Sequence, residues 1–257
     1  MAHNEGHGGQ GHTVHHWESS VYPLILVAGI FFAIPIAFGL FFQYHNATMG
    51  IAALGIGTPL LIWGVAGWTK EGIANRDHEH GYSLTGLPIF IVSEVMIFLS
   101  LFAAYWTMRM SADVWPPAGS PEIGVTLPLI MTVILVTSSV TYHLGEMRIE
   151  EGDKGGFNTW LMVSIALGAV FLGCTAYEYN HLLSEGFVWG TNAKSTAFYS
   201  ITGFHASHVL VGLCAFIAIL IPALGGAVSH TFVKGAGIYW HFVDIVWFFV
   251  VSQVYIW

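Results

Sequence analysis

The apolar positions of this chain fall into seven nearly unbroken runs. They lie near Val21–Gln43, Met49–Trp68, Leu87–Met108, Val125–Met147, Phe157–Tyr177, Ala197–Leu224 and Gly237–Trp257. A helix needs about twenty such residues to cross hydrocarbon, and each run has roughly that length. The pattern predicts an all-α polytopic membrane protein with seven transmembrane helices. The first two runs are joined only by Tyr44–Thr48, which predicts an antiparallel hairpin. The expected organisation is a polar tail at 1–20, a two-helix arm at 21–68, a cytoplasmic loop at 69–86 and a five-helix bundle at 87–257, one membrane domain overall. No link is long enough to hold a soluble domain.

The polar positions inside these runs carry the chemistry. The third run, LPIFIVSEVMIFLSLFAAYWTM, has a single carboxylate, Glu94, which lies about 10 Å along the helix from Leu87. An ionised carboxylate at that depth costs on the order of several kcal/mol, so Glu94 is expected to be protonated, paired or wet. His205 and His208 are three apart and share a helix face, as do Glu178 and His181, and His241 and Asp244. Asp244 is placed to satisfy His241 locally. Ser138, Ser139 and Thr141 add hydroxyls to the fourth helix. Intramembrane ionisable groups point inward and mark function, with structural pairing the competing explanation.

Composition agrees with the pattern: 55% of residues are hydrophobic and 9% charged, with a mean hydropathy of +0.67. Soluble domains carry roughly a quarter charged residues. A net charge of −8 with seven Lys and Arg argues against nucleic-acid or polybasic lipid-surface binding. Cys174 and Cys214 both fall inside apolar runs and read as small buried hydrophobes. Residues 1–20 are rich in Gly and His. His3, His7, His12, His15 and His16 could ligate a metal, but a Gly-spaced segment of this kind is expected to be a flexible tail. It lacks the apolar core of a cleavable signal peptide.

Loop charges set the orientation. With the N-terminus inside, Lys70, Arg76, Arg148, Lys154 and Lys234 are cytoplasmic, and only Arg109 and Lys194 are outside. Trp115-Pro116-Pro117 is expected to be an ordered outer loop, and Arg76, Asp77, His78, Glu79 and His80 a solvated cytoplasmic one. Gly50, Gly55, Gly57, Gly64 and Gly67, with Gly203 and Gly212, permit close helix approach.

Two readings from other functional classes compete at this point. A haem protein would use His205, His208 and His241 facing one another across the last two helices. A stand-alone proton-coupled transporter would use Glu94, Glu178 and Asp244, although no internal repeat is visible.

Six motifs, in order along residues 85–257, resemble subunit III of the haem–copper cytochrome c oxidases. They are Ser93-Glu94, Trp115-Pro116-Pro117-Ala118-Gly119, Glu151-Gly152-Asp153, Tyr177-Glu178-Tyr179, Phe198 through His208 (FYSITGFHASH) and Tyr239 through Trp247 (YWHFVDIVW). The resemblance implies a V-shaped two-arm bundle, helices one and two on one arm and three to seven on the other, with phospholipid in the cleft. It implies no catalytic residue, no metal and no cofactor in this chain. The haems and copper belong to subunits I and II, subunit I is the direct partner, and cytochrome c is the donor to the complex. It implies that the chain stabilises the proton-pumping, oxygen-reducing complex and sustains its proton uptake. Glu94, Glu178 and Asp244 become the buried or proton-related acids. Trp68, Glu94, His205, His208, His230, Lys234 and His241 become the lipid contacts. A quinol oxidase subunit III is the close alternative. A bacterial cytoplasmic membrane is expected, with the N-terminus cytoplasmic and the C-terminus periplasmic. The chain departs from the family where Glu146-Met147 replaces a usual His pair, where Thr175 replaces a usual Gln, and where basic residues between the last two helices are thinned to Lys234, with His230 nearby.

Overall fold

The computed structural model describes residues 20–74, 83–226 and 228–257. The tail histidines His3, His7, His12, His15 and His16 and the loop residues Arg76, Asp77, His78, Glu79 and His80 lie outside the described residues. The chain divides into two compact units, Met1–His80 and Gly81–Trp257. Seven helices among the described residues are long and apolar enough to cross a membrane.

In the first unit, α1 (Tyr22–Phe31) continues through two π-helical turns, Phe32–Ile36 and Gly39–Gln43. Pro35 lies in the first of them. It donates no N–H and its ring crowds the carbonyl one turn back, so the hydrogen-bond ladder shifts there. A three-residue link, Tyr44–Asn46, leads into α2 (Ala47–Ala74). Small residues bring the two backbones together. A Cβ added at Gly57 would stand 2.5 Å from the Ala33 nitrogen, and one at Gly64 would stand 2.9 Å from that of Leu26. Gly50 and Gly67 lie against the rings of Phe41 and Tyr22. Gly55 differs from the expectation: nothing lies within 4 Å of its added Cβ, because it is on the opposite side of α2. Gly57→Ala is therefore expected to destabilise the hairpin by about 1–3 kcal/mol, with Gly55→Ala neutral or slightly stabilising. SDS-induced unfolding followed by circular dichroism distinguishes the two.

The second unit contains α3 (Ser83–Met110), α4 (Thr126–Glu150), α5 (Lys154–Ser184), α6 (Ala193–Leu224) and α7 (His230–Val250), the last closed by a π turn at Val251–Ile256. α5, α6 and α7 begin earlier than their apolar runs because polar first turns extend them. Asp153 caps α5 by accepting from the Gly156 N–H at 2.9 Å, Asn192 and Ser195 form a reciprocal capping box on α6, and Ser229 caps α7. Between α4 and α5 the chain reverses at Gly152, whose φ of +82° suits a residue without Cβ.

α7 is the most enclosed helix. Its Trp240 is wholly buried and packs on Gly168 of α5, Gly212 of α6 and the Phe216 ring at 4.7 Å. Buried hydroxyls tie the helices together: Ser138 donates to the Ser164 carbonyl at 3.1 Å, Thr141 and Ser164 share a 2.8 Å bond, and Tyr142 donates to the Val233 carbonyl at 2.7 Å. The loop carrying Trp115-Pro116-Pro117 is held to α6 by its capping residue, since Asn192 also donates to Ser120 at 2.9 Å. Asn192→Ala removes both functions and is expected to cost about 1 kcal/mol. Hydrogen-exchange mass spectrometry should show faster exchange across the first turn of α6 and residues 115–120.

Candidate functional site

The third run folds as one helix, and Glu94 projects from α3 toward α6. Its Oε2 lies 3.1 Å from Nε2 of His208, and both side chains are largely enclosed. The other ring nitrogen, Nδ1, lies 2.8 Å from the Phe204 carbonyl, one turn back on α6. A carbonyl can only accept, so Nδ1 must carry a hydrogen. The bond between Nε2 and Oε2 then holds one proton. With the proton on the carboxyl, both groups are neutral; with it on the imidazole, they form an ion pair. Either arrangement has zero net charge, which lowers the cost of placing an acid in an apolar span. The pairing takes up the sequence expectation in one of its three forms.

Aromatic rings surround the pair. Phe98 lies 5.1 Å from the His208 ring and 4.8 Å from Phe204, Tyr239 stacks on His208 at 6.4 Å, and the Tyr239 hydroxyl donates to the His208 carbonyl at 3.2 Å. These rings limit water at the pair and hold the imidazole edge-on to the acid.

The remaining candidates are distributed over other helix contacts. His205 does not join His208. It stacks on Trp247 at 5.0 Å and meets the edge of Phe171 at 5.8 Å, and neither ring nitrogen has a hydrogen-bond partner among the described residues. At 1% exposure it offers lipid no surface to contact. Asp244 does not bond His241 directly. Ser139 of α4 stands between them, donating its one hydrogen to Asp244 and lying 3.1 Å from Nδ1 of His241, from which it must therefore accept. Glu178 accepts from the Tyr255 hydroxyl at 2.7 Å, while its expected neighbour His181 pairs with Glu185 at 3.6 Å. The three acids Glu94, Asp244 and Glu178 thus have three separate sets of partners on α6, α4 and the end of α7.

At the opposite end of α7, Lys234 reaches Glu150 of α4 at 3.2 Å in an exposed pair, and His230 occupies the first turn. Trp68, in the first unit, is half exposed. Sequence reasoning passed over Tyr255 and His143, the latter 3.6 Å from Glu146. No spacing rule links Glu178 to a tyrosine two helices later. His143 and Glu146, three apart on α4, followed the same one-face rule as the pairs singled out and could have been found by it.

Among the described residues no group of three or more His, Cys, Asp or Glu side chains is placed to hold a metal ion. The structure defines a class: a polytopic helical membrane protein whose intramembrane acids are paired with imidazole or hydroxyl groups. The chain belongs to the cytochrome c oxidase subunit III family, whose sequence profile matches residues 12–257. It is similar to cytochrome c oxidase subunit 3 of Thermostichus vulcanus (39% identical, covering 70% of this chain and 90% of the relative) and of Synechocystis (38%, covering 72% and 80%). Subunit 3 of Allomyces macrogynus is 29% identical over 96% of this chain and 94% of its own. A member of this family is a noncatalytic subunit of an oxygen-reducing oxidase and assembles with the other oxidase subunits.

Proposed function

We propose that this chain packs directly against the haem-bearing subunit I, beside the copper-bearing subunit II, in an oxidase that takes electrons from cytochrome c. In this reading it has no redox centre of its own, retains phospholipid, and sustains proton uptake by its partner. The membrane is the bacterial cytoplasmic membrane, with the N-terminus inside, in line with the five-to-two distribution of loop cations.

The observation that carries this reading is the Glu94–His208 pair, an acid and an imidazole 3.1 Å apart inside an apolar span. An acid and an imidazole sharing a proton can pass it on or bond a polar headgroup at little cost in net charge. The polar edge of α4 and α7 supports it further. His143 and His241 are exposed at membrane depth beside the buried Ser139–Asp244 bond, where a neighbouring subunit or headgroup would satisfy them better than hydrocarbon.

Affinity purification through this chain tests the assignment. Haem absorbance and a copper-bearing subunit II should co-purify, and dissociating the chain should shorten the number of turnovers before inactivation. A partner complex without that copper centre would make it the quinol oxidase variant. Isolation of the chain alone, with no haem protein beside it, would sink the reading.

A further inference from the structure

The end of the second unit where α3 finishes, α6 begins and α7 closes contains a cavity of about 230 Å³. Its walls include Arg109, Lys194, Trp115, Tyr105, Tyr255 and Trp257. Neither cation has a carboxylate within ion-pair distance among the described residues, whereas Arg148 pairs with Glu151 and Lys234 with Glu150.

Arg109 is oriented but not neutralised. Its guanidinium lies 4.2 Å over the Trp257 ring, and its one hydrogen bond among the described residues, to the Tyr105 hydroxyl, is 3.3 Å long. Stacking covers the face of the fork and leaves edge N–H donors unused. Lys194 is half buried and donates to no described group. It is also placed against two fields. It stands in the first turn of α6, where the macrodipole is positive, and it lies close enough to Arg109 to feel that charge. The Tyr255 hydroxyl is turned away to Glu178, so it does not compensate the cavity. Arg109 and Lys194, neither in an ion pair among the described residues, thus face one aromatic-walled space with donors that a bound anion would accept.

We propose that this cavity is a phosphate-binding site occupied by a phosphodiester or free phosphate group, with the Arg109 edge and the Lys194 ammonium as its donors. Trp115 and Trp257 line it, and tryptophan favours the depth of lipid headgroups. Two cations for one phosphate favour an anionic headgroup such as phosphatidylglycerol over a choline ester, whose ammonium the site would repel. This site is separate from the Glu94–His208 pair and does not depend on the role assigned there.

The test uses the purified oxidase complex and two probes, short-chain phosphatidylglycerol and inorganic phosphate, titrated by native mass spectrometry against wild type and Lys194→Gln. Since Lys194 bonds no described group, that variant is expected to keep the fold intact. Lys154→Gln, at the opposite end of the bundle, is the charge control. Affinity for the lipid probe should fall about tenfold in Lys194→Gln and stay unchanged in Lys154→Gln. Arg109→Gln should lower it at least as much. If inorganic phosphate binds with the same dependence on Lys194 and displaces the lipid, the site is a phosphate site filled from solution. If only the lipid does so, a headgroup fills it. Equal affinity of wild type and Lys194→Gln for both probes would overturn the proposal. So would loss of a neighbouring subunit from Lys194→Gln with phosphate affinity unchanged, which would assign the cations to a partner's carboxylate.

Discussion

Glu94→Gln is expected to leave the oxidase complex assembled while lowering its turnover-linked proton uptake severalfold. The glutamine amide can still donate to Nε2 of His208, because Nδ1 keeps its hydrogen on the Phe204 carbonyl. Stability should therefore stay within about 1 kcal/mol of wild type. What disappears is the shared proton, since a carboxamide cannot form the ion-paired state. Glu94→Leu is the complementary variant. It strands the His208 nitrogen in an apolar setting, which costs about 1–3 kcal/mol. If the pair were only structural, Glu94→Leu would lower the thermal stability of the complex, and Glu94→Gln would be silent in proton uptake, inactivation kinetics and phospholipid content. Proton uptake by oxidase reconstituted in vesicles, read with a pH-sensitive dye beside a thermal melt, separates the two roles.

Gly212→Val should prevent the second unit from closing. A Cβ there would stand 2.6 Å from the six-membered ring of Trp240, which is wholly buried and also held by Gly168 and Phe216. A buried indole enclosed on three sides cannot swing away, so α6 and α7 must separate. Overpacking of this kind costs about 1–3 kcal/mol for small additions, and valine adds more than one methyl. The converse change, Trp240→Ala, leaves a cavity costing about 3–5 kcal/mol. In both variants this chain should be lost from the purified complex, as seen on a denaturing gel. Gly212→Ala combined with Trp240→Phe should recover part of the loss, because the smaller ring withdraws from the added methyl. Additive losses in the double variant would show that the two residues do not act through this contact.

The seven spans and the hairpin at the start were determined by the sequence alone. Crossing hydrocarbon demands internally satisfied backbone and about twenty apolar residues, and both requirements are local. The six motifs likewise pointed to the family before any contact was known. Sequence spacing also singled out polar residues inside the spans, but it left their partners open. It grouped His205 with His208, His241 with Asp244 and Glu178 with His181, because residues three apart share a helix face. Sharing a face does not choose a partner. His208 turned to Glu94 on α3 and His205 to Trp247 on α7, while Ser139 from α4 came between His241 and Asp244. Those choices depend on helix rotation and depth, which follow from packing features such as Trp240 against Gly212 and Gly168. The meeting of Arg109 with Lys194 was equally hidden, since they are far apart in sequence and converge only when the ends of three helices are brought to one level. The tertiary structure alone decided which acid meets an imidazole and which two cations face one cavity.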